Sequence, residues 1–500
     1  MNPEYIVIQA GGRGSRLGHL TDHIPKALVP VENLPMMFHL FRLFPEKKYL
    51  IIGDYKFDVL RKYLQAFAQV AYLLVDARGQ SGTCAGIGKA LAKIPAGKSL
   101  LLLWSDLILP QDFCFPAEEG NYVGISGSFQ CRWSFLDGEW IEVPSREHGV
   151  AGLFLFPDKE PIADVPKEGE FVRWLKAKRL PMQPLGLPGT REFGLLEDYQ
   201  KLGTPICRPF HRVTFLEGQV KKEALDGQGR ALIQKECAWY GLVGGKGYPP
   251  IPRIDSYEPL VMERIPGNPL FTYTGLTEGE KKGILAGIVG SLKRLHSLGG
   301  MEADYFSLWE AYAGKTFARL NKVRDLIPFA EALTVTINGR ECRNVFFFRN
   351  ELEEKINALS VPHFCLLHGD CTFSNILLKD KETPSFIDPR GYFGHTQFYG
   401  DPDYDWAKLY YSMVGNYDRF NRKEFRLVFG RDGVELTVAS SQWEAMEPYF
   451  WELLGEEAGQ EKIRLLHAII WLSLTTYAWE DYNAICGAFY LGLYYLEELW

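Results

Sequence analysis

No C-x-x-C pair occurs in this 500-residue chain, and its nine cysteines are scattered. The nearest two, Cys365 and Cys371, lack a zinc-ligand spacing. An odd, dispersed set argues against a disulfide framework and suits a reducing, cytoplasmic setting. Long apolar runs are also missing. The most membrane-like stretch, LLHAIIWLSLTTYAW at 465–479, is short and is followed by Glu480 and Asp481. It predicts a buried helix and no membrane insertion. The chain opens without a basic segment leading into an apolar one, so no signal peptide is expected. Positive charge is not in excess: 55 Lys and Arg against 62 Asp and Glu leave a net charge of −7. That balance argues against a nucleic-acid surface and allows only local basic pockets. Repeats and low-complexity segments are absent, and the oligomeric state is left open.

What remains is a long, well-packed chain, 46% apolar and rich in aromatics. Its length predicts two domains or three. The first two hundred residues alternate short apolar runs at 49–54, 71–76 and 100–109 with the helical patterns KFDVLRKYLQAFA and CAGIGKALAKI, and a later strand is expected at 149–156. Strand, helix and strand in repetition predict a parallel sheet covered on both faces, with ligands at the strands' carboxyl ends. Near residue 205 the texture changes, with Pro205 and Pro209 at the join. Residues 212–225 alternate like antiparallel strands, LIQKECAWYGLV is helical, and 258–265 is strand-like. Long helical patterns follow at 278–299, 304–325, 440–456 and 460–499. The reading is a domain at 1–205 and a second at 206–500, the latter with a small lobe to about 265 and a helical lobe beyond.

The first domain opens with IVIQAGGRGSRLGHLTDHIPKALVPV, residues 6–31. Gly12, Gly14 and Gly18 are one residue too widely spaced for the dinucleotide fingerprint, and no Gly-Lys-Ser/Thr makes a Walker A loop. The physics is still that of a phosphate cradle: glycines let the backbone approach an anion, and a helix N-terminus adds its dipole. Lys26 is within reach of the loop. SGTCAGIGKAL at 81–91 supplies a second small-residue turn, and LLLLWSDLIL ends a strand on Asp106. An acid there suits Mg²⁺ beside phosphates. Plainer readings stand next to these: Lys26 as a surface lysine, Asp106 as a helix N-cap.

Together the segments resemble the nucleotidyltransferases that couple a nucleoside triphosphate to a phosphorylated sugar or alcohol and release pyrophosphate. The matching residues are Gly11, Gly12, Gly14, Ser15, Arg16 and Leu17, then Pro25, Lys26, Leu28, Pro30 and Val31. The resemblance implies a Rossmann-like α/β fold. It also implies that the loop amides and Arg16 hold the triphosphate, that Lys26 stabilises charge at the reacting phosphoryl groups, that Gly82 and Thr83 lie against the base or ribose, and that Asp106 holds Mg²⁺. One departure stands out. Where the family places a second metal-binding acid, DYQKLGTP at 198–205 has Lys201. Asp198 or Glu197 would have to substitute.

The second domain carries FCLLHGDCTFSNILLKDKETPSFIDPRG at 364–391. His368, Asp370 and Asn375 have the H-x-D-x-x-x-x-N spacing of a kinase catalytic loop. Asp370 is placed to accept a hydroxyl proton and Asn375 to offer a neutral oxygen to Mg²⁺. A hairpin through ILLK and SFID is expected to return Asp388 beside Asn375 as the second metal ligand. Upstream, Lys221 or Lys222 closes a strand, with alternation favouring Lys222, and Glu236 follows in a helix to pair with it. LVMERIPG, around Glu263, reads as the connector that meets the adenine, and His296 reads as structural. This half resembles the aminoglycoside phosphotransferase and choline kinase superfamily, which implies a two-lobed, protein-kinase-like α+β fold using ATP. Asp405, in GDPDYDWAKL, matches that superfamily's anchor for the catalytic loop.

The expectation is a bifunctional cytoplasmic enzyme: ATP-dependent phosphorylation of a small alcohol or sugar, then nucleotidyl transfer from a second NTP, CTP or UTP. The product would be an activated precursor for a surface glycan or lipid. The rival is a single-activity kinase whose first domain only senses a nucleotide, a reading that Lys201 favours.

Overall fold

The computed structural model describes residues 1–202, 210–380, 383–455 and 459–500. The chain divides into two compact units, Met1–Thr204 with Glu480–Tyr482 and Pro205–Trp479 with Asn483–Trp500. The join expected around Pro205 and Pro209 lies outside the described residues.

In the first unit, Tyr5–Gln9 pairs in parallel with Lys48–Gly53 on one side and Leu100–Trp104 on the other, and Ala71–Asp76 extends the row. The three inner strands are nearly continuous runs of Ile, Leu and Val because both faces are covered, whereas the edge strand Ala71–Asp76 is buried only at Val75. Ile6, Val7 and Ile8 have no exposed surface. The sheet is not wholly parallel, as expected from the sequence, but mixed. Gly149–Phe156 runs antiparallel to Leu100–Trp104 and also pairs with Tyr122–Ser126 across a register shift. The helices Phe57–Phe67 and Cys84–Leu91 form where the apolar spacing predicts them.

Two local departures shape the ligand edge. The apolar run 100–109 is not one strand: it breaks into Leu100–Trp104 and Leu107–Ile108, and Asp106 sits in the turn between them. The glycine loop does not lead into an α-helix either. It enters the 3-10 segment Ser15–Thr21, interrupted by Gly18 at φ +57°. Its free amides, rather than a long helix dipole, are therefore what it offers an anion.

The second unit begins with a four-stranded antiparallel sheet of His211–Leu216, Gln219–Ala224, Leu260–Glu263 and Ile254–Tyr257. The helix Gly227–Gly245 packs on it, with the Asp226 side chain capping the Gly229 N–H. A helical lobe follows. The helix Glu278–Ser297 starts in a full capping box between Thr277 and Glu280. Three of the long helical patterns are shorter than expected. The 304–325 stretch is Tyr305–Trp309, a π turn at Glu310–Gly314, and Lys315–Val323. The 440–456 stretch is helical only from Glu444 to Leu454. The last is two helices, Gln460–Leu474 and Tyr482–Leu496. Gln460–Leu474 holds the first ten residues of the apolar stretch and is buried from Leu465 to Leu474, but the helix ends there and 475–479 continue as turns. Among the described residues no helix is long and apolar enough to cross a membrane. The lobe also carries a four-stranded sheet, Arg340–Arg343, Thr334–Ile337, Gly433–Val438 and Phe425–Phe429, that the sequence reading missed. Its strands are short, and their alternation is lost among the helical patterns on either side.

Candidate active sites

In the first unit the loop folds back on the strand ends. The Lys26 N–H donates to the Gly12 carbonyl (3.2 Å) and the Tyr55 N–H to Gly11 (3.2 Å). Gly14 has φ +67°, and a Cβ on it would lie 3.0 Å from the Lys26 Cβ, so glycine lets the lysine stem pass beneath the loop. Ser15 and Arg16 are exposed at the loop's rim.

Lys26 is buried, which removes its reading as a surface lysine. Its ammonium forms an ion pair with Asp106 and lies 3.7 Å from the Glu192 carboxylate. Asp106 is not a helix N-cap, since no helix starts there. Glu192 arrives on the two-residue strand Arg191–Glu192, which pairs antiparallel with Leu107–Ile108. The sequence reading did not include it. Lys201 is exposed and bound to Asp198 at 2.8 Å, on and just after the short helix Leu196–Gln200. The acid that lies beside Asp106 is Glu192, while Asp198 is tied to Lys201.

The two carboxyl groups crowd each other. Burial and the neighbouring Asp106 push Glu192 up to about 7, with Lys26 and Arg16 pulling the other way. Against its own burial, Asp106 is held ionised, below the ordinary carboxylate range, by Lys26. Two adjacent acids with one proton between them are a donor set that a divalent cation fits. Gly194 keeps this space open, since a Cβ there would collide with Glu192 Oε1 and lie 3.1 Å from Lys26 Nζ. Gly82 and Thr83 lie between the edge strand Ala71–Asp76 and the helix Cys84–Leu91, and the Gln9 side-chain amide donates to the Thr83 carbonyl (3.2 Å). Gly82, at φ +80°, abuts the backbone of Gly169, and the Thr83 hydroxyl accepts the Phe171 N–H (2.9 Å). That hydroxyl is thus engaged within the protein.

In the second unit, Lys222 rather than Lys221 points inward; Lys221 pairs with Glu223 at the surface. The Lys222 ammonium bridges Glu236 (2.7 Å) and Asp388 (2.7 Å). Burial pushes Glu236 up to about 7, and its Oε1 has no hydrogen-bond partner. Asp388 sits at φ +55°, an unusual backbone for a non-glycine residue, with its side chain 48% exposed. Lys222 holds it ionised despite desolvation.

The expected hairpin forms from Ile376–Leu378 and Pro384–Phe386, and the Ile387 N–H donates to the Asn375 carbonyl (3.0 Å), which puts Asp388 next to Asn375. The Asn375 amide nitrogen donates to the Asp370 carbonyl oxygen (2.8 Å) and carboxylate (3.1 Å). Its amide oxygen is the end left for a cation. One carboxylate and one amide oxygen fit Mg²⁺ that takes its other ligands from phosphates and water. Among the described residues no cluster of three His, Cys, Asp or Glu makes an all-protein metal cage.

Asp370 has a partner that the sequence reading missed: the Lys408 ammonium, 2.9 Å from Oδ1. Against burial, Lys408 keeps Asp370 below the ordinary carboxylate range. Lys408 follows Asp405 by one turn of the helix Pro402–Met413, so an anchoring Asp405 implied a lysine near the loop. Asp405 itself is fully buried and accepts the N–H groups of Gly369 (2.7 Å) and His368 (3.0 Å), with His296 at 3.1 Å. His296 thus lies against the anchor and away from the reacting end. His368 is also internal. Its Nδ1 accepts the Asp370 N–H (3.2 Å) and its Nε2 donates to Ile387 (3.0 Å), a neutral tautomer that burial favours. Glu263 ends its strand, and its N–H donates to the Arg253 carbonyl (2.8 Å). Its carboxylate accepts the Arg253 N–H (3.2 Å).

Residues 6–114 match the model of the MobA-like NTP transferase domain, and residues 230–449 match that of the phosphotransferase enzyme family. The chain thus carries one stretch similar to each of two transferase families. Glu192 and Lys222 both lie outside the matched stretches, and only the tertiary contacts bring them to the sites. Similar solved structures include the inositol-1-phosphate CTP transferase from T. maritima, at 11% identity, 39% of this chain, 91% of that chain and TM-score 0.33. Another is the CTP:phosphocholine cytidylyltransferase from Streptococcus pneumoniae, at 18%, 40%, 98% and 0.33. A third is a nucleoside-diphosphate-sugar pyrophosphorylase from Vibrio cholerae, at 16%, 39%, 98% and 0.33. No curated protein matches the chain in sequence.

Proposed function

We propose that the chain phosphorylates a small alcohol or sugar with ATP in its second unit and transfers a nucleotidyl group onto that phosphate in its first. One observation carries the reading: each unit holds a buried lysine set between two carboxylates. These are Lys26 with Asp106 and Glu192, and Lys222 with Glu236 and Asp388. Such a lysine is ready to turn to the phosphates of a triphosphate, while Asp106 and Glu192 in the first unit and Asp388 in the second would take a divalent cation.

In the kinase step the acceptor hydroxyl attacks the γ-phosphorus, the bond to the β–γ bridging oxygen breaks, and ADP leaves. Asp370 orients the hydroxyl and accepts its proton, and Lys408 fixes the carboxylate. A divalent cation held by Asp388 and the Asn375 amide oxygen would neutralise phosphate charge when bound. In the transfer step an oxygen of the new phosphate attacks the α-phosphorus of the second NTP, CTP or UTP, and pyrophosphate leaves. The amides of Gly11, Gly12 and Gly14, together with Ser15 and Arg16, face the triphosphate, and Lys26 meets the charge that develops there. Asp106 and Glu192 are the acids for Mg²⁺. Gly82 and Thr83 lie along the nucleoside, and Glu263 lies at the adenine edge of the kinase site. The product suits an activated precursor for a surface glycan or lipid made in the cytoplasm. Glu192 beside Asp106 supports catalysis over mere sensing, since the departure at Lys201 was what favoured the sensor.

The test is a coupled assay. Purified protein, ATP and a panel of alcohols and sugars are followed by ADP release, and CTP, UTP, GTP or dTTP is then added and pyrophosphate measured. A kinase product that yields no pyrophosphate with any NTP would overturn the two-step reading.

Glu192 also predicts a pH dependence. Below about 7 the group is protonated and its oxygens compete poorly for a cation; above it the carboxylate is free. The Mg²⁺ concentration needed for half-maximal pyrophosphate release should therefore fall as pH rises through 7, then level off. Glu192→Gln should flatten that profile and leave ADP formation unchanged. A profile in the Gln variant identical to that of the parent would remove Glu192 from the metal site.

A further inference from the structure

A small, open-mouthed cavity of about 50 Å³ lies beside the catalytic loop of the second unit, lined by Glu310, Lys315, Arg390, Tyr392, Phe393 and Tyr404 among others. Its link to the reacting end is short. The Arg390 N–H donates to the His368 carbonyl (2.8 Å), two residues before Asp370. Lys408, bound to Asp370, lies 6.0 Å from the Tyr404 ring centre. Cations dominate the cavity. Arg390 makes no ion pair among the described residues: two phenols hold it, Tyr404 at 2.6 Å and Tyr392 at 3.2 Å. The Lys315 side chain has no hydrogen bond or ion pair among the described residues, only the Tyr404 ring at 5.9 Å. Arg319, one helical turn on, is held by the carbonyl and hydroxyl of Ser473. Glu310 is the one acid in the lining.

We infer that the acceptor is an anionic alcohol, with a carboxylate or phosphate near the hydroxyl that is phosphorylated, and that Lys315 and Arg390 bind this oxyanion with Arg319 reinforcing the field. The inference rests on the kinase reading above and narrows its substrate class. Glu310 is the single carboxylate in the lining and only partly balances Lys315 and Arg390, so an incoming anion offsets the remaining cost of burying them. The shift of Lys315 agrees: burial first, then Arg390, Arg319 and Lys408, hold it well below the ordinary lysine range, so an anion bound there would favour its charged form. A quaternary ammonium is disfavoured. The rings it would need already face protein cations, with Lys235 4.1 Å and Arg390 4.6 Å from the Tyr392 centre.

The experiment compares ADP release from four acceptor sets: hydroxy acids, phosphorylated polyols and sugars, neutral polyols and sugars, and amino alcohols including choline. An oxyanion-bearing acceptor should exceed its neutral counterpart in kcat/KM by about 100-fold, and the first two sets tell carboxylate from phosphate. Lys315→Met should raise the KM for that acceptor about 10- to 100-fold, the range for hydrogen bonds to charged groups, with the KM for ATP within about twofold. The variant should fold, since it removes an unpaired, crowded cation; Lys315→Arg should recover most of the binding. A neutral or cationic acceptor used better than any anionic one, or an unchanged acceptor KM in Lys315→Met, would overturn the inference and leave the kinase reading standing. Silence from all four sets would overturn the kinase reading, and the inference with it.

Discussion

Asp370→Ala should lower ADP formation by about 10²–10⁴-fold, the usual range for a positioned general base, while pyrophosphate release from a pre-phosphorylated acceptor continues at the parent rate. The side chain is 41% exposed and forms no part of the core, so its loss removes chemistry rather than packing. What the loop loses is the carboxylate that Lys408 and Asn375 hold in place. The backbone stays fixed, because Asp405 holds the His368 and Gly369 N–H groups and His368 holds that of Asp370. Asp370→Asn keeps the shape and still loses the proton acceptor, so it should be nearly as slow. The measurement is paired initial rates of ADP and pyrophosphate on the same preparation, with the thermal transition as a check on folding. A folded Asp370→Ala protein that has lost both activities would refute two independent sites.

Lys26→Met should cut pyrophosphate release by about 10²–10³-fold, the loss typical of one strong donor to transition-state charge, and leave ADP formation intact. The methionine fills the channel beneath Gly14 with a similar stem, so the loop's course is preserved. It leaves Asp106 and Glu192 facing each other without a counter-charge. The pair will then keep its shared proton more firmly, and the Mg²⁺ requirement should rise as well. Arginine is a poor substitute: its rigid fork does not match a point charge set between two acids under a tight turn. Pyrophosphate release at the parent rate in Lys26→Met would mean that the lysine only balances the two carboxylates.

The parts of both sites that were legible in the sequence are those whose geometry is local. Gly14 and Lys26 belong to one loop. Asp370 and Asn375 are joined by a single 3-10 turn, and Asp388 returns through a short hairpin. In each case the spacing along the chain is the spacing in space. Asp106 was read correctly as an acid at a strand end, although the strand breaks there and does not run on to 109.

Glu192 could not be read this way. It reaches Asp106 through two residues of strand pairing, too short to leave an alternating pattern, and the familiar position instead held Lys201. Its one local signal is an acid between Gly189 and Gly194. Lys222 over Lys221 was a matter of which face of a strand is buried, which alternation suggests and packing decides. Sequence alone thus determined the two-domain α/β and α+β plan and the local loops proposed for phosphate binding, because glycines, caps and hydrophobic periodicity act over a few residues. Tertiary structure alone decided which second acid faces Asp106, that Lys408 holds Asp370, and that Lys315, Arg319 and Arg390 gather around one cavity. Electrostatic energy depends on distance through space, and folding brings together charges that lie far apart along the chain.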